Sequence, residues 1–299
     1  VSSQSPHNDA AEQLYRLVVE YDRRGDVYNA VKLCKRLARM VPDWSVPFAF
    51  LCRTYRSRME WKPTLHYCMR AVEHNAFDEN LWETLGIAAT ALGEWKTARY
   101  AWNQLGYHFK PSAEAIDLDL GLIPLRLNPA TQPEVVAARR VDPVRALIES
   151  IPQPSSGRRY GDLVLVENKP NQTGASVQFY QQRRVLPLHD ELQLLKSSNW
   201  HTYSVMLFTD TAADVDVLAN LCLSANLGFD NWSNATRFFQ PNLHRNVAEY
   251  FDQAIFGKME REVYLVAMAA KQQKEIEIVL DAWRVITLKE HGRVEQLTV

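Results

Sequence analysis

The chain predicts a multidomain protein in three parts: an all-helical superhelix, then a small β-rich domain, then an α+β domain. Three observations carry this. A repetition at a fixed step of 34 residues runs through 11–112. Eight of the fourteen prolines lie between Pro124 and Pro187, where they divide short β-branched runs. After Trp200 the pattern turns to strand-like and helix-like segments in alternation. The expected boundaries are a polar tail over 1–10, the helical array over 11–112, the β-rich domain over 113–199 and the α+β domain over 200–299.

The repetition is gapless over three copies. Steps of 34 link Trp82 to Phe48 and Leu14, Leu85 to Leu51 and Leu17, and Trp95 to Trp61 and Val27. The same step links Gly93 to Met59 and Gly25, Ala98 to Thr64 and Ala30, and Trp102 to Cys68 and Cys34. In the third copy Trp82, Leu85 and Gly86 share one face of a first helix, and Gly93 supplies the turn. A small Ala98 then admits a second helix at close range, with Trp102 and Leu105 continuing its apolar stripe. Pro42 closes the first copy, where a helix should end.

This period and order of residue sizes resemble the tetratricopeptide repeat (TPR) family. The likeness covers about the first third of the chain, as copies 11–44, 45–78 and 79–112. It departs from the family at Val18, Cys52 and Met59, where glycine is usual, and at Thr64, where alanine is usual. The resemblance implies a concave groove, lined by the first helices, that holds a peptide or protein partner. In one version of the family Lys and Asn side chains clamp a terminal carboxylate. Those columns hold Tyr15, Val19, Phe50, Asn80 and Thr84 here, only one of them an amide and none a cation, so no such clamp is expected. The groove-side residues are Tyr15, Arg16, Val19, Arg23, Phe50, Arg53, Arg56, Glu83, Thr84 and Ile87. Either some of them pack against a later segment of the chain, or they receive an external, partly acidic segment on Arg16, Arg53 and Arg56 with aromatic anchors.

Short runs bounded by Pro, Gly or Asn, such as "GRRYGDLVLVENKP", give the middle its β character. The loop "SSGRRYGD" suggests a weak anion site at Gly157, Arg158 and Arg159, yet it lacks the spacing of a phosphate loop. A solvated hairpin loop is the competing reading. The doublets Arg139–Arg140, Arg158–Arg159 and Arg183–Arg184 raise RNA binding as a minor rival. Ten Lys/Arg against ten Asp/Glu over 113–200 weigh against it.

In the last third "HTYSVMLFTD" reads as a strand and "AADVDVLANLCLSANLG" as a helix capped by Asp210 or Thr211 and ended by Gly228. "NWSNATRFF" follows as a strand, "HRNVAEYFDQAIFG" as a connecting helix, "REVYLVAMA" as a strand and "KQQKEIEIVLDAWRVIT" as an amphipathic helix. "RVEQLTV" closes the order. It suggests a ferredoxin-like sandwich if the connecting helix is an extra one, and an ordinary alternating α/β sheet if that helix is a crossover.

Composition is that of a globular protein, 46% hydrophobic with net charge −1, which exerts no global pull on nucleic acid or anionic membrane. The longest apolar runs fall far short of the ~20 residues of a membrane span. A polar N-terminus and four sparse cysteines, none in a CxxC pair, suit a reducing cytoplasm and give no sign of zinc or thiol chemistry. The eight histidines make no HxxxH or HExxH pattern, so no metal site is expected. His189, Asp190 and Glu191 come nearest to acid–base chemistry, and a polar strand end explains them equally well. No catalytic residue and no cofactor follows from the sequence. The expected function is a non-catalytic adaptor that binds a protein or peptide through the groove. Two alternatives stay open: an immunity or adaptor protein of a bacterial secretion or toxin system, and a small-molecule sensor or enzyme with its site in the last domain.

Overall fold

The computed structural model describes residues 9–168, 176–179, 184–233 and 262–299. It divides into two compact units, Val1–Ile116 and Asp117–Val299.

The first unit is helical: α1 (Asp9–Arg23), α2 (Val27–Met40), α3 (Ser45–Arg56), α4 (Trp61–His74), α5 (Glu79–Leu92) and α6 (Trp95–Gln104). The second helices open on Val27, Trp61 and Trp95, and α3 and α5 open on Ser45 and Glu79, so the 34-residue step is a structural period. Local chemistry sets the ends. Asp26 caps α2 by accepting from the Asn29 amide, and Asp78 caps α5 by accepting from Asn80 and Leu81. Each turn between paired helices needs one left-handed residue, supplied by Gly25 (φ 75°), Met59 (φ 55°) and Gly93 (φ 72°). Thr64 fits an alanine column because its buried hydroxyl donates to the Glu60 carbonyl at 2.8 Å.

One helix–helix contact differs from copy to copy. A Cβ on Gly86 of α5 would lie 2.6 Å from the Trp102 indole of α6, so the glycine exists to admit the ring. The equivalent positions of the second copy are Cys52 and Cys68, joined as a disulfide with Cα atoms 5.2 Å apart. In the first copy they are Val18 and Cys34, both fully buried. The sparse cysteines, which gave no sign of thiol chemistry in the sequence, therefore include one disulfide. No CxxC spacing announces it because its halves lie on two antiparallel helices.

The second unit starts with a closed five-stranded barrel made of β1 (Leu122–Leu127), β2 (Glu134–Arg140), β3 (Arg145–Ile148), β4 (Leu163–Asn168) and β7 (His189–Lys196). Strands of alternating direction in an odd number bring the first and last together in parallel, and Leu125 pairs with His189 and Arg126 with Asp190. Alternate residues fill the interior: Ile123, Leu125 and Leu127, then Val136 and Ala138, Ala146 and Ile148, Val164 and Val166. Between β4 and β7 the chain forms a separate hairpin of β5 (Ser176–Phe179) and β6 (Arg184–Pro187).

The rest is β8 (His201–Phe208), α7 (Ala212–Ser224), β9 (Gly228–Asn231), β10 (Tyr264–Ala270), α8 (Gln273–Thr287), β11 (Glu290–His291) and β12 (Glu295–Leu297). Central strands β8 and β10 are flanked by β9 on one side and β11 and β12 on the other, and all pairs are antiparallel. One face buries Tyr203, Val205, Val266 and Met268 against Leu218 of α7 and Leu280 and Trp283 of α8. On the other face Ala267 and Ala269 meet Ile151, Tyr160, Trp200 and Trp232. The Trp232 indole donates to the Ile151 carbonyl at 3.0 Å, and the Ile151 amide donates to Asp230 at 3.1 Å, which fixes barrel to sheet.

Gly228 does not end a helix. The left-handed residue after α7 is Asn226 (φ 56°), and Gly228 opens β9. There a Cβ would come within 2.8 Å of the Ala269 Cβ, so the glycine serves close packing. The expected second strand thus begins earlier than "NWSNATRFF", whose residues past Ser233 lie outside the described ones, as does all of "HRNVAEYFDQAIFG". Arg183 of the third doublet lies outside them too.

Candidate functional site

Two places concentrate polar chemistry: the first-helix face of the helical unit and the polar belt of the barrel.

On the helical unit the ten groove-side residues divide by exposure. Arg16, Arg23 and Arg53 are exposed, Tyr15, Val19, Arg56 and Glu83 are half-buried, and Phe50, Thr84 and Ile87 are buried. The accessible part of this face therefore lies on α1 and α3. Arg53 organises it. Its guanidinium sits 5.4 Å from the Phe50 ring centroid and 3.9 Å from Asp22 of α1, while 72% of the side chain stays exposed. A cation held over an aromatic face keeps its charge available and loses little further freedom on binding. Tyr15 packs edge-on against Trp44 at 5.4 Å, and burial raises its phenol above the ordinary value. Asn80, the one amide among the clamp columns, is exposed at the start of α5.

The barrel belt is built from charges at strand ends. Arg126 of β1 donates two bonds to Asp190 of β7, at 2.7 and 2.8 Å, across the parallel pair that closes the barrel. Next to it Glu191 accepts from Arg158 and from the Asn128 amide. Asp142 is fully buried and accepts from the amides of Val144 and Arg145 and from the Arg145 guanidinium. Arg139 pairs with Glu149 and Asp119. His189 is 3% exposed, and its Nδ1 lies 3.0 Å from the Pro187 carbonyl. Burial, and then the positive field of Arg140, bring its imidazole down to about 4. It is thus neutral at physiological pH. The Nε of Arg140 is buried and has no hydrogen-bond partner among the described residues.

The sequence marked several of these residues for other reasons. His189, Asp190 and Glu191 do begin a strand, but they are buried and the two acids are paired. The loop cations Arg158 and Arg159 are also engaged: Arg158 with Glu191, and Arg159 with the Val299 carbonyl at 2.8 Å. Gly157 takes a left-handed conformation after a single 3-10 turn, Pro154–Ser156. Asp142 and Arg145 were missed. Their signal was local, an Asp-Pro turn followed by Arg three residues after the Asp.

Among the described residues no cluster of His, Cys, Asp and Glu has the arrangement of a metal site, and no helix is long and apolar enough to cross a membrane. The chain matches no protein-family model and no curated protein.

Proposed function

We propose that the helical unit is a TPR-type array and that the protein is a non-catalytic adaptor, binding an acidic segment of a protein partner on the open part of its first-helix face. The observation that carries this is Arg53, held over Phe50 and next to α1, exposed and pre-positioned. Arg16 and Arg23 are two further exposed cations on α1, set among its four acids. The period of the helices, the left-handed turn residue in every copy and the Gly86–Trp102 contact support the family reading. In the second unit, the order of β8 to β12 about two helices supports a ferredoxin-like sandwich, a common scaffold that carries no activity by itself.

Affinity capture from source cells tests the reading, comparing wild type with an Arg16→Ser/Arg53→Ser variant checked for folding by circular dichroism. Selective loss of the captured partner is the expected result, and unchanged recovery rules the face out. A second reading, a small-molecule sensor with its site in the strand unit, draws on the orphaned Arg140 Nε beside neutral His189. A thermal shift with small anions, lost in Arg140→Met, would favour it.

A further inference from the structure

Charge in the helical unit is sorted by helix. The second helices carry eight Lys/Arg, four in α2 and two each in α4 and α6, against one acid, Glu73. The first helices carry four Arg against six acids. The near-zero net charge of the chain conceals this sorting, because acidic residues elsewhere in the chain balance the cations of the second helices.

The cations of the second helices are not all alike. Lys35 lies 5.4 Å from the Tyr55 ring centroid, Arg70 pairs with Glu73 at 3.0 Å, and Arg99 donates to the carbonyls of Lys110 and Glu114. By contrast the side chains of Lys32, Arg36, Lys62 and Lys96 are exposed and make no bond to any described residue. Aromatic rings stand among them. Tyr28 is 74% exposed and Tyr100 57% exposed. The 34-residue step makes Tyr28, Lys62 and Lys96 equivalent positions, and Lys32, His66 and Tyr100 equivalent positions one helical turn further on. Both rows therefore run across the array on one face of the second helices. No Leu, Ile, Phe or Trp stands in either row.

We propose that this second-helix face binds single-stranded nucleic acid. Cations spread over three successive helices match a linear polyanion better than a single anionic group. Exposed tyrosine rings beside amines are what unpaired bases stack on, and that combination is the general basis of binding without sequence preference. An acidic peptide would use the cations and leave the rings idle. A bilayer would need large apolar side chains to insert, which the two rows lack. The face is distinct from the one that carries Arg16 and Arg53, so either proposal can fail without the other.

The test is fluorescence anisotropy of a labelled oligonucleotide of about 20 nucleotides, as oligo(dT) and oligo(rU), with the full chain. Four phosphate contacts predict binding about 50-fold weaker at 200 mM than at 50 mM salt. Lys32→Ser with Lys62→Ser should reduce that factor to about 7-fold. Tyr28→Leu with Tyr100→Leu should weaken binding about tenfold or more and leave the salt dependence unchanged. Arg16→Ser with Arg53→Ser should leave it unaffected, which separates this surface from the adaptor face. No binding at 50 mM salt overturns the proposal, as does binding indifferent to both the lysine and the tyrosine pairs. Retention by anionic phosphatidylserine vesicles or by polyglutamate, with no oligonucleotide binding, overturns it too and assigns the face to a membrane or an acidic protein.

Discussion

The two units are stabilised in different ways. The helical unit buries only uncharged polar side chains, four threonines among the described residues, whose hydroxyls include two bonded to carbonyls one turn back. The barrel buries Glu134, Asp142, Arg145, Asp162, Glu167, His189, Asp190 and Glu191. The first unit is thus specified by shape, through complementary sizes at each helix crossing. The second is specified by charge placement: each buried charge costs several kcal/mol to desolvate and is tolerable only beside its partner. A shape-specified region tolerates changes of pH and is sensitive to volume. A charge-specified region behaves the other way round.

The sharpest way to break the comparison is at Asp142. Asp142→Ala removes a fully buried carboxylate that accepts from the Arg145 guanidinium and from two backbone amides. It should cost about 4 kcal/mol in urea unfolding. Glu73→Ala, which removes an exposed ion pair of the helical unit, should cost under about 0.5 kcal/mol. Similar losses for the two would end the distinction.

Next in size is the disulfide. Cys52 and Cys68 close a loop of sequence separation 16, so reduction should lower the stability of the helical unit by about 3 kcal/mol. Urea midpoints with and without reductant measure this, with Cys52→Ala as the control that no longer responds. A wild-type midpoint indifferent to reductant would contradict it.

Gly86→Ala is smaller and has a diagnostic sign. In an unconstrained helix this change stabilises by about 1 kcal/mol. Here the added methyl meets the Trp102 ring, and a net loss of about 2 kcal/mol is expected. A gain would show that the ring moves freely. Smallest is Met59→Gly, which relieves the left-handed strain at φ 55° and should add about 0.5 kcal/mol. It is the one substitution among these expected to raise the melting temperature.

The sequence made the helical unit legible because its signal is local and appears three times. A Gly–Trp crossing in one copy shows what the same columns must do in the others, which is why Val18 and Cys52 break no spacing, and Met59 keeps the left-handed turn of Gly25 and Gly93. Comparing the Cys52 and Cys68 columns with Gly86 and Trp102 would have exposed the disulfide. The barrel offered no such repetition. Its closure rests on Arg126 and Asp190, 64 residues apart, and its charges were read individually because their partners lie on distant strands. Proline and glycine punctuation showed where strands end but not which strands pair. In the last third the strands and helices among the described residues were largely legible. Gly228 was misread because a glycine needed for close packing gives the same sequence signal as one needed for a turn.

His189 gives the most direct test of the contrast. Its imidazole is held at about 4 in the folded chain against an ordinary 6.5, so the unfolded chain binds the extra proton between those values. The stability it provides is complete above pH 6.5 and is lost as the pH falls toward 4, about 3 kcal/mol in all. Backbone hydrogen exchange of the full chain at pH 7 and pH 4.5, corrected for intrinsic rates, reads this out strand by strand. Protection should fall across β1 to β4 and β7 and stay unchanged across α1 to α6. Equal loss in both units, or loss first in the helices, would contradict the division into a shape-held unit and a charge-held one.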